Sequence, residues 1–432
     1  MPFIEPRVLK GFRDFLPLAE LKRRGMIEKI EKSFRSFGFV PIDTPALEYT
    51  EILLGKGGGE TEKQVYRFTD QGGRDVALRF DLTIPFARFS AEHRSDLALP
   101  FKRYHIAKVW RGENTQRGRY REFTQCDFDI VGSDSAAADF EILLIMQKTL
   151  NILCGGITIR INHRGLFNRF LASLGIGTVS AEILRQVDKL AKIGRNGVQE
   201  QLEQIVSPEQ SQKILDFISL GQEGGFDKVL EKLKAYVGEG ADIERITELR
   251  QFMKDAGIAE SFVLDTSITR GLDYYTGVVY ECFLDKMPGI GSVCSGGRYD
   301  NLTALYSKES LPGVGSSIGL DRLQAALEEL EPKDRHGAYA DAAIVCAETG
   351  NTGNAQKAAE SFRQQGINCE VFLEEKKPAQ QFVLAEKKGI LWVIIPDYTN
   401  GRFTLRNIER REDLENQDIE TAAKIIKESL IR

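Results

Sequence analysis

Arg111-Gly-Glu-Asn-Thr-Gln-Arg-Gly-Arg-Tyr-Arg-Glu-Phe-Thr-Gln-Cys-Asp-Phe-Asp-Ile-Val-Gly132 decides the reading of this 432-residue chain. Strand-like runs flank a short polar turn, Tyr104–Trp110 before it and Phe123–Val131 after it. The pattern predicts a β-hairpin with Arg111, Arg117, Arg119 and Arg121 at its mouth. A guanidinium is always charged and donates in a rigid fork, which suits it to a polyphosphate. Asp127 and Asp129 alternate with Phe128 and Ile130 on the return strand, so both carboxylates share one face. One hairpin thus offers a site for an anion beside a site for a cation. The plainer reading, a solvated charged edge, leaves the regular spacing of the carboxylates unexplained.

The segment resembles motif 2 of the class II aminoacyl-tRNA synthetases, and Arg117-Gly-Arg-Tyr-Arg-Glu-Phe-Thr-Gln125 is similar to its histidyl-tRNA synthetase form. Arg270-Gly-Leu-Asp-Tyr-Tyr-Thr-Gly277 resembles that family's histidine signature, and Ser295-Gly-Gly-Arg-Tyr-Asp-Asn-Leu302 its companion. Gly313-Val-Gly-Ser-Ser-Ile-Gly-Leu-Asp-Arg322 resembles motif 3, and Gly38-Phe-Val-Pro-Ile-Asp-Thr-Pro45 the dimer-forming motif 1. The resemblances run in family order from about Lys10 to the C-terminus.

The resemblance implies an α+β catalytic domain with a mostly antiparallel sheet of class II type, a helical insertion and a C-terminal α/β domain. It implies ATP as substrate, with Mg2+ accompanying it and no metal held by protein ligands. Arg111 would hold the α-phosphate and the amino-acid carboxylate. Glu113, with Arg119 or Arg121, would position the rest of ATP, Phe123 would stack on adenine, and Arg322 would take the γ-phosphate side. Arg270 would take a share of the role that magnesium has at the α-phosphate in other class II enzymes. Asp81, Thr83, Gln125 and Asp129 match the positions that receive the α-ammonium of L-histidine. Tyr274 and Tyr275 fit its imidazole. Asn114, Thr115 and Gln116 would meet the acceptor end of tRNA(His). Where bacterial relatives commonly carry Arg-Pro-Glu-Gly-Thr, this chain has Arg79-Phe-Asp-Leu-Thr83, which resembles the eukaryote-type branch. A pocket that hydrogen-bonds a polar substrate rejects isosteres strongly, so no editing domain is required.

The length predicts more than one core. No run approaches the roughly 18 apolar residues of a membrane span, and the N-terminus Met1–Arg7 lacks the form of a secretory signal. The six cysteines lack any Cys-x-x-Cys pair and read as reduced thiols of a cytoplasmic protein. The net charge of −5 is acidic for an RNA binder, but binding depends on a local basic face. Gly55–Glu60 lacks the Gly-Lys-Ser/Thr ending of a phosphate loop and reads as an ordinary loop.

Apolar spacing predicts a helix over Leu18–Phe37 closed by Gly38, and another over 135–151. Between 164 and 260 the text is helical and charged, with amphipathic segments at 181–193, 210–220 and 243–256. This insertion, without a chemical cluster, either contacts RNA, covers the site or serves packing alone. The catalytic unit is thus assigned to 1–163 and 261–330, and a polar linker to 331–338. A small α/β domain with a mainly parallel sheet covers 339–432 and matches the family's anticodon-binding order. Lys376, Lys377, Lys387 and Lys388 there could face RNA. A homodimer is the expected assembly, from motif 1. Two rivals are a catalytically inactive paralogue, the regulatory subunit of ATP phosphoribosyltransferase in histidine biosynthesis, and a stand-alone RNA-binding module. The first typically lacks the C-terminal domain and the arginine signature, and the second leaves the pocket carboxylates unexplained.

Overall fold

The computed structural model describes residues 3–55, 60–187, 189–222, 224–268, 274–330, 337–346, 351–374 and 376–430. Arg270, residues 56–59 and most of the linker lie outside them. The chain divides into two units, Met1–Arg13 with Met26–Leu330, and Asp14–Gly25 with Glu331–Arg432.

In the first unit the strands are β1 (Val40–Pro41), β2 (Leu47–Tyr49), β3 (Arg67–Thr69), β4 (Asp75–Leu78), β5 (Phe101–Trp110), β6 (Glu122–Val131), β7 (Ile157–His163), β8 (Phe262–Leu264), β9 (Val278–Leu284), β10 (Cys294–Tyr299) and β11 (Gly313–Gly319). Eight of them form one sheet in the order β1-β5-β6-β11-β10-β9-β7-β8, and β2, β4 and β3 form a small separate one. The five internal pairings of the large sheet are antiparallel, and only the two outer ones, β1 with β5 and β7 with β8, are parallel.

The period of two along β6 sorts its side chains. Cys126, Phe128 and Ile130 point into the main core. There Phe34 of the helix Pro17–Ser36 meets Phe128 at a ring separation of 4.7 Å. The helix Ala136–Leu153 contributes Ile142, Leu143 and Met146, and its N-terminus is capped by Ser135, whose side chain accepts from the Ala138 N–H. Each such buried side chain contributes about 1.5–3 kcal/mol. Gln125, Asp127 and Asp129 occupy the opposite face of β6.

Residues between Arg164 and Asp255 carry the helices Arg164–Ser173, Ser180–Val187, Leu190–Leu202, Pro208–Ser219, Phe226–Val237 and Ala241–Asp255. Their core is continuous with that of the sheet: Phe170 and Phe217 stack at 4.2 Å within the same cluster as Phe128. Strand β8 stops at Leu264, because the Asp265 carboxylate accepts from both the backbone N–H and the hydroxyl of Ser267 and turns the chain.

The second unit holds β12 (Ala342–Ile344), β13 (Cys369–Val371), β14 (Trp392–Asp397), β15 (Arg402–Asn407) and β16 (Glu412–Gln417), ordered β13-β12-β14-β15-β16. The sheet is mixed rather than mainly parallel. Helical crossovers make β12 parallel to β13 and β14, whereas short turns force β15 and β16 to run antiparallel. All six cysteines are free.

Candidate active site

Register builds the site. Asp129 faces Arg103 on β5 and Gly315 on β11, and Asp127 faces His105 and Ser317. Gly315 is required, since a Cβ there would fall inside the Asp129 carboxylate. Arg103 is wholly buried. Its guanidinium lies 2.8 Å from Asp129 Oδ2 and 4.2 Å from the centre of the Phe86 ring. The Tyr299 hydroxyl donates to Asp129 Oδ1 at 2.6 Å. Asp129 Oδ1 thus has a hydrogen-bond donor, whereas Oδ2 has the Arg103 counter-charge but no hydrogen bond.

Asp81 and Asp127 are not satisfied in this way. Asp81 Oδ1 accepts from the Ile84 N–H at 3.1 Å at the start of the helix Thr83–Glu92. Among the described residues Asp81 Oδ2, Asp127 Oδ1 and Gln125 Oε1 are buried acceptors without a hydrogen bond. Burial pushes the Asp81 carboxyl up to about 6, opposed by the Ile84 N–H and by Arg111 and Arg103. Burial likewise pushes Asp127 up to about 7, opposed by Arg103 and assisted by Asp129. A buried acceptor short of donors carries a free-energy cost that an incoming N–H or O–H group would relieve. Tyr274 hydrogen-bonds Thr83, and Tyr275 hydrogen-bonds Tyr274. Their rings pack edge to face at 4.8 Å, Tyr274 also meets Tyr299 at 6.0 Å, and both hydroxyls are held un-ionised by burial.

Beside this pocket an open cleft is walled by Arg111, Glu113, Arg119, Phe123, Gln125 and Arg322 among others. Arg111 Nε donates to the Phe80 carbonyl at 2.8 Å, next to Asp81, and its guanidinium lies 5.2 Å from the centre of the Phe123 ring. Arg119 pairs with Glu113. Arg322 donates to the Ser292 carbonyl at 2.6 Å. Burial, then the like charges of Arg119 and Arg111, pull its pKa below the ordinary value, a tension that an anion would relieve. Gln125 joins the two compartments: it lines the cleft, and its Nε2 donates to Ser317 Oγ at 2.8 Å. Ser317 in turn bonds Asp127.

A family model described as histidyl-tRNA synthetase matches residues 11–323, and one for an anticodon binding domain matches residues 341–429. The chain belongs to the histidyl-tRNA synthetase family. Histidine–tRNA ligase of Treponema denticola is 55% identical over 401 residues, spanning 91% of this chain and 89% of its own. The Rhodopirellula baltica protein of the same name is 44% identical, with 96% of each chain covered. The crystal structure of histidyl-tRNA synthetase from Nostoc sp. PCC 7120 superposes with a TM-score of 0.88 at 32% identity, covering 99% of this chain and 100% of that one.

Within this synthetase fold, the candidates Asp81, Thr83, Gln125, Asp129, Tyr274 and Tyr275 meet in the acidic pocket, and Arg111, Glu113, Arg119, Phe123 and Arg322 meet in the cleft. Arg121 does not line the cleft; its Nε donates to the Glu113 carbonyl at 3.1 Å and braces the turn from behind. Asn114 and Gln116 are exposed at the hairpin tip and Thr115 is half-buried. Arg270 lies outside the described residues. Sequence reasoning gave Arg103 and Tyr299 no role, and it placed Asp127 on the carboxylate face of the hairpin without counting it among the histidine-binding residues. Counting the hairpin register back from the turn would have set Arg103 opposite Asp129.

Proposed function

We propose that this chain is a histidine–tRNA ligase that activates L-histidine with ATP to histidyl-adenylate and transfers it to tRNA(His). The observation that carries this reading is the continuity, through Gln125 and Ser317, of an arginine-walled cleft with a buried cluster of carboxylates that have oxygens without donors. Activation brings a carboxylate against a phosphate and spreads negative charge over a five-coordinate phosphorus, so cations at fixed positions are the main requirement. Arg111, tethered beside Asp81, stands between the compartments and would bridge the α-phosphate and the histidine carboxylate. Arg322, held by Ser292, would take the distal phosphates, and Phe123 the adenine. Mg2+ would accompany ATP and offset phosphate charge, and Glu113, paired with Arg119, would help position the nucleotide.

In the pocket, Asp81, Asp127 and Gln125 carry the free acceptors for an ammonium and an imidazole N–H, and Asp129 acts through Arg103 and Tyr299 to hold the floor. The hairpin tip at Asn114–Gln116 would meet the acceptor end of tRNA. A homodimer through the motif 1 region fits the exposed apolar side chains Val40, Leu47 and Tyr49. The match of residues 341–429 to an anticodon-binding domain disfavours the regulatory-subunit alternative. Histidine-dependent ATP–pyrophosphate exchange, followed by charging of tRNA, tests the assignment.

A further inference from the structure

The helical stretch after β7 reaches the pocket by two separate routes. Arg164, the first residue of its first helix, donates from its guanidinium to the Tyr275 carbonyl at 3.0 Å, and its backbone N–H donates to the Gly277 carbonyl at 2.9 Å. The second route begins at Arg245, on the helix Ala241–Asp255. Arg245 Nη1 donates to Asp139 Oδ2 at 2.8 Å, and Asp139 is wholly buried. The other oxygen of Asp139 takes Arg298 Nε at 2.8 Å and Nη2 at 2.7 Å. Arg298 Nη1 reaches Asp300 Oδ1 at 3.1 Å, and Asp300 Oδ2 accepts the Thr276 hydroxyl at 2.5 Å. The backbone closes the circuit, since the Thr276 N–H donates to the Arg298 carbonyl at 2.8 Å. The first route ends on Tyr275 and Gly277 and the second on Thr276 between them, so both hold the segment that carries the tyrosine wall.

We infer that Arg245 is a positioning residue for the amino-acid site: acting through Asp139 and Arg298, it fixes the tyrosine wall, so the helical insertion is a working part of substrate recognition. Arg245 touches no proposed substrate atom. A buried carboxylate shared between two arginines holds both in one geometry, and removing Arg245 leaves Asp139 Oδ2 without its donor and changes the charge balance that sets Arg298, which keeps its bonds to Ser133, Ser135 and Asp300. The ATP cleft lies on the other side of Gln125, and none of the residues named as its walls belongs to this chain of bonds.

The inference rests on the histidine-site reading, and the experiment separates the two. Exchange kinetics are measured on the full unmodified chain, on Arg245→Met, on Arg245→Lys, and on Arg250→Met as a control. Arg250 sits on the same helix, but its ion pair goes to Asp227, within the helical stretch. Absence of histidine-dependent exchange by the unmodified chain overturns the underlying assignment. Given exchange, Arg245→Met should raise the histidine KM about tenfold with the ATP KM within about twofold, a difference of about 1.4 kcal/mol in histidine recognition. Arg245→Lys should recover part of that loss, and Arg250→Met should leave both KM values unchanged at a comparable fall in melting temperature. An unchanged histidine KM in Arg245→Met, or equal shifts in both KM values and in both arginine variants, overturns the positioning role.

Discussion

Replacing Asp127 by asparagine isolates the proton that its carboxyl carries. With its carboxyl pushed up to about 7, Asp127 is protonated in much of the free protein at neutral pH. A cationic ligand needs the carboxylate, so binding must expel that proton. The sign follows from the raised value: affinity is full above about pH 7 and is lost as pH falls below it. Between about pH 8 and about pH 5.5 the cost rises by about 2 kcal/mol, a loss of about 30-fold from Asp127 alone. The imidazole of free histidine also titrates near 6.5 and imposes its own loss, as does Asp81, but these remain in Asp127→Asn. The assay is the histidine KM of ATP–pyrophosphate exchange across that range. Calorimetry at pH 7 in buffers of different ionisation enthalpy adds a proton count. The unmodified chain should lose about 30-fold more affinity than the variant and release about half a proton more per histidine bound. Parallel pH profiles with equal proton release would refute the claim that Asp127 faces the substrate.

Arg103→Met should destabilise the fold by about 3–5 kcal/mol, because it strips a wholly buried carboxylate of its counter-charge; a denaturant midpoint equivalent to less than about 1 kcal/mol would contradict this. Arg322→Ala should reduce exchange by about 100- to 1,000-fold, the loss of one preorganised donor at the phosphates, and near-normal exchange kinetics would remove it from the site. Joint Lys376→Gln and Lys377→Gln should raise the tRNA KM in charging while leaving exchange within about twofold, since neither lysine lies in the catalytic unit; a defect in both assays would mean a structural role.

The hairpin and its carboxylates were legible because a strand's period of two is strict, and Gln125, Asp127 and Asp129 obey it. What the pattern withheld was the partner of each carboxylate. Register turns Asp129 toward Arg103 and Tyr299 and sets Asp127 against Ser317 with one oxygen left without a donor, and register is a property of the folded sheet. The helix Phe226–Val237 was passed over although its apolar positions Val229, Leu230 and Leu233 are spaced for one buried face. Strand β16 gave no signal, because a nearly all-polar, exposed edge strand lacks the alternation that betrays half-buried ones. The ties from Arg164 and Arg245 to the pocket were equally silent: in the sequence each is one more charged residue on a helical face.

The central claim is that the arginine cleft and the acidic pocket form one machine for activating L-histidine. Its most direct test is ATP–pyrophosphate exchange by the purified full chain with each amino acid in turn and no tRNA present. The account predicts exchange with L-histidine at rates at least a hundredfold above any other amino acid. Exchange with a different amino acid, or none with histidine in a folded protein that still binds ATP, would contradict it.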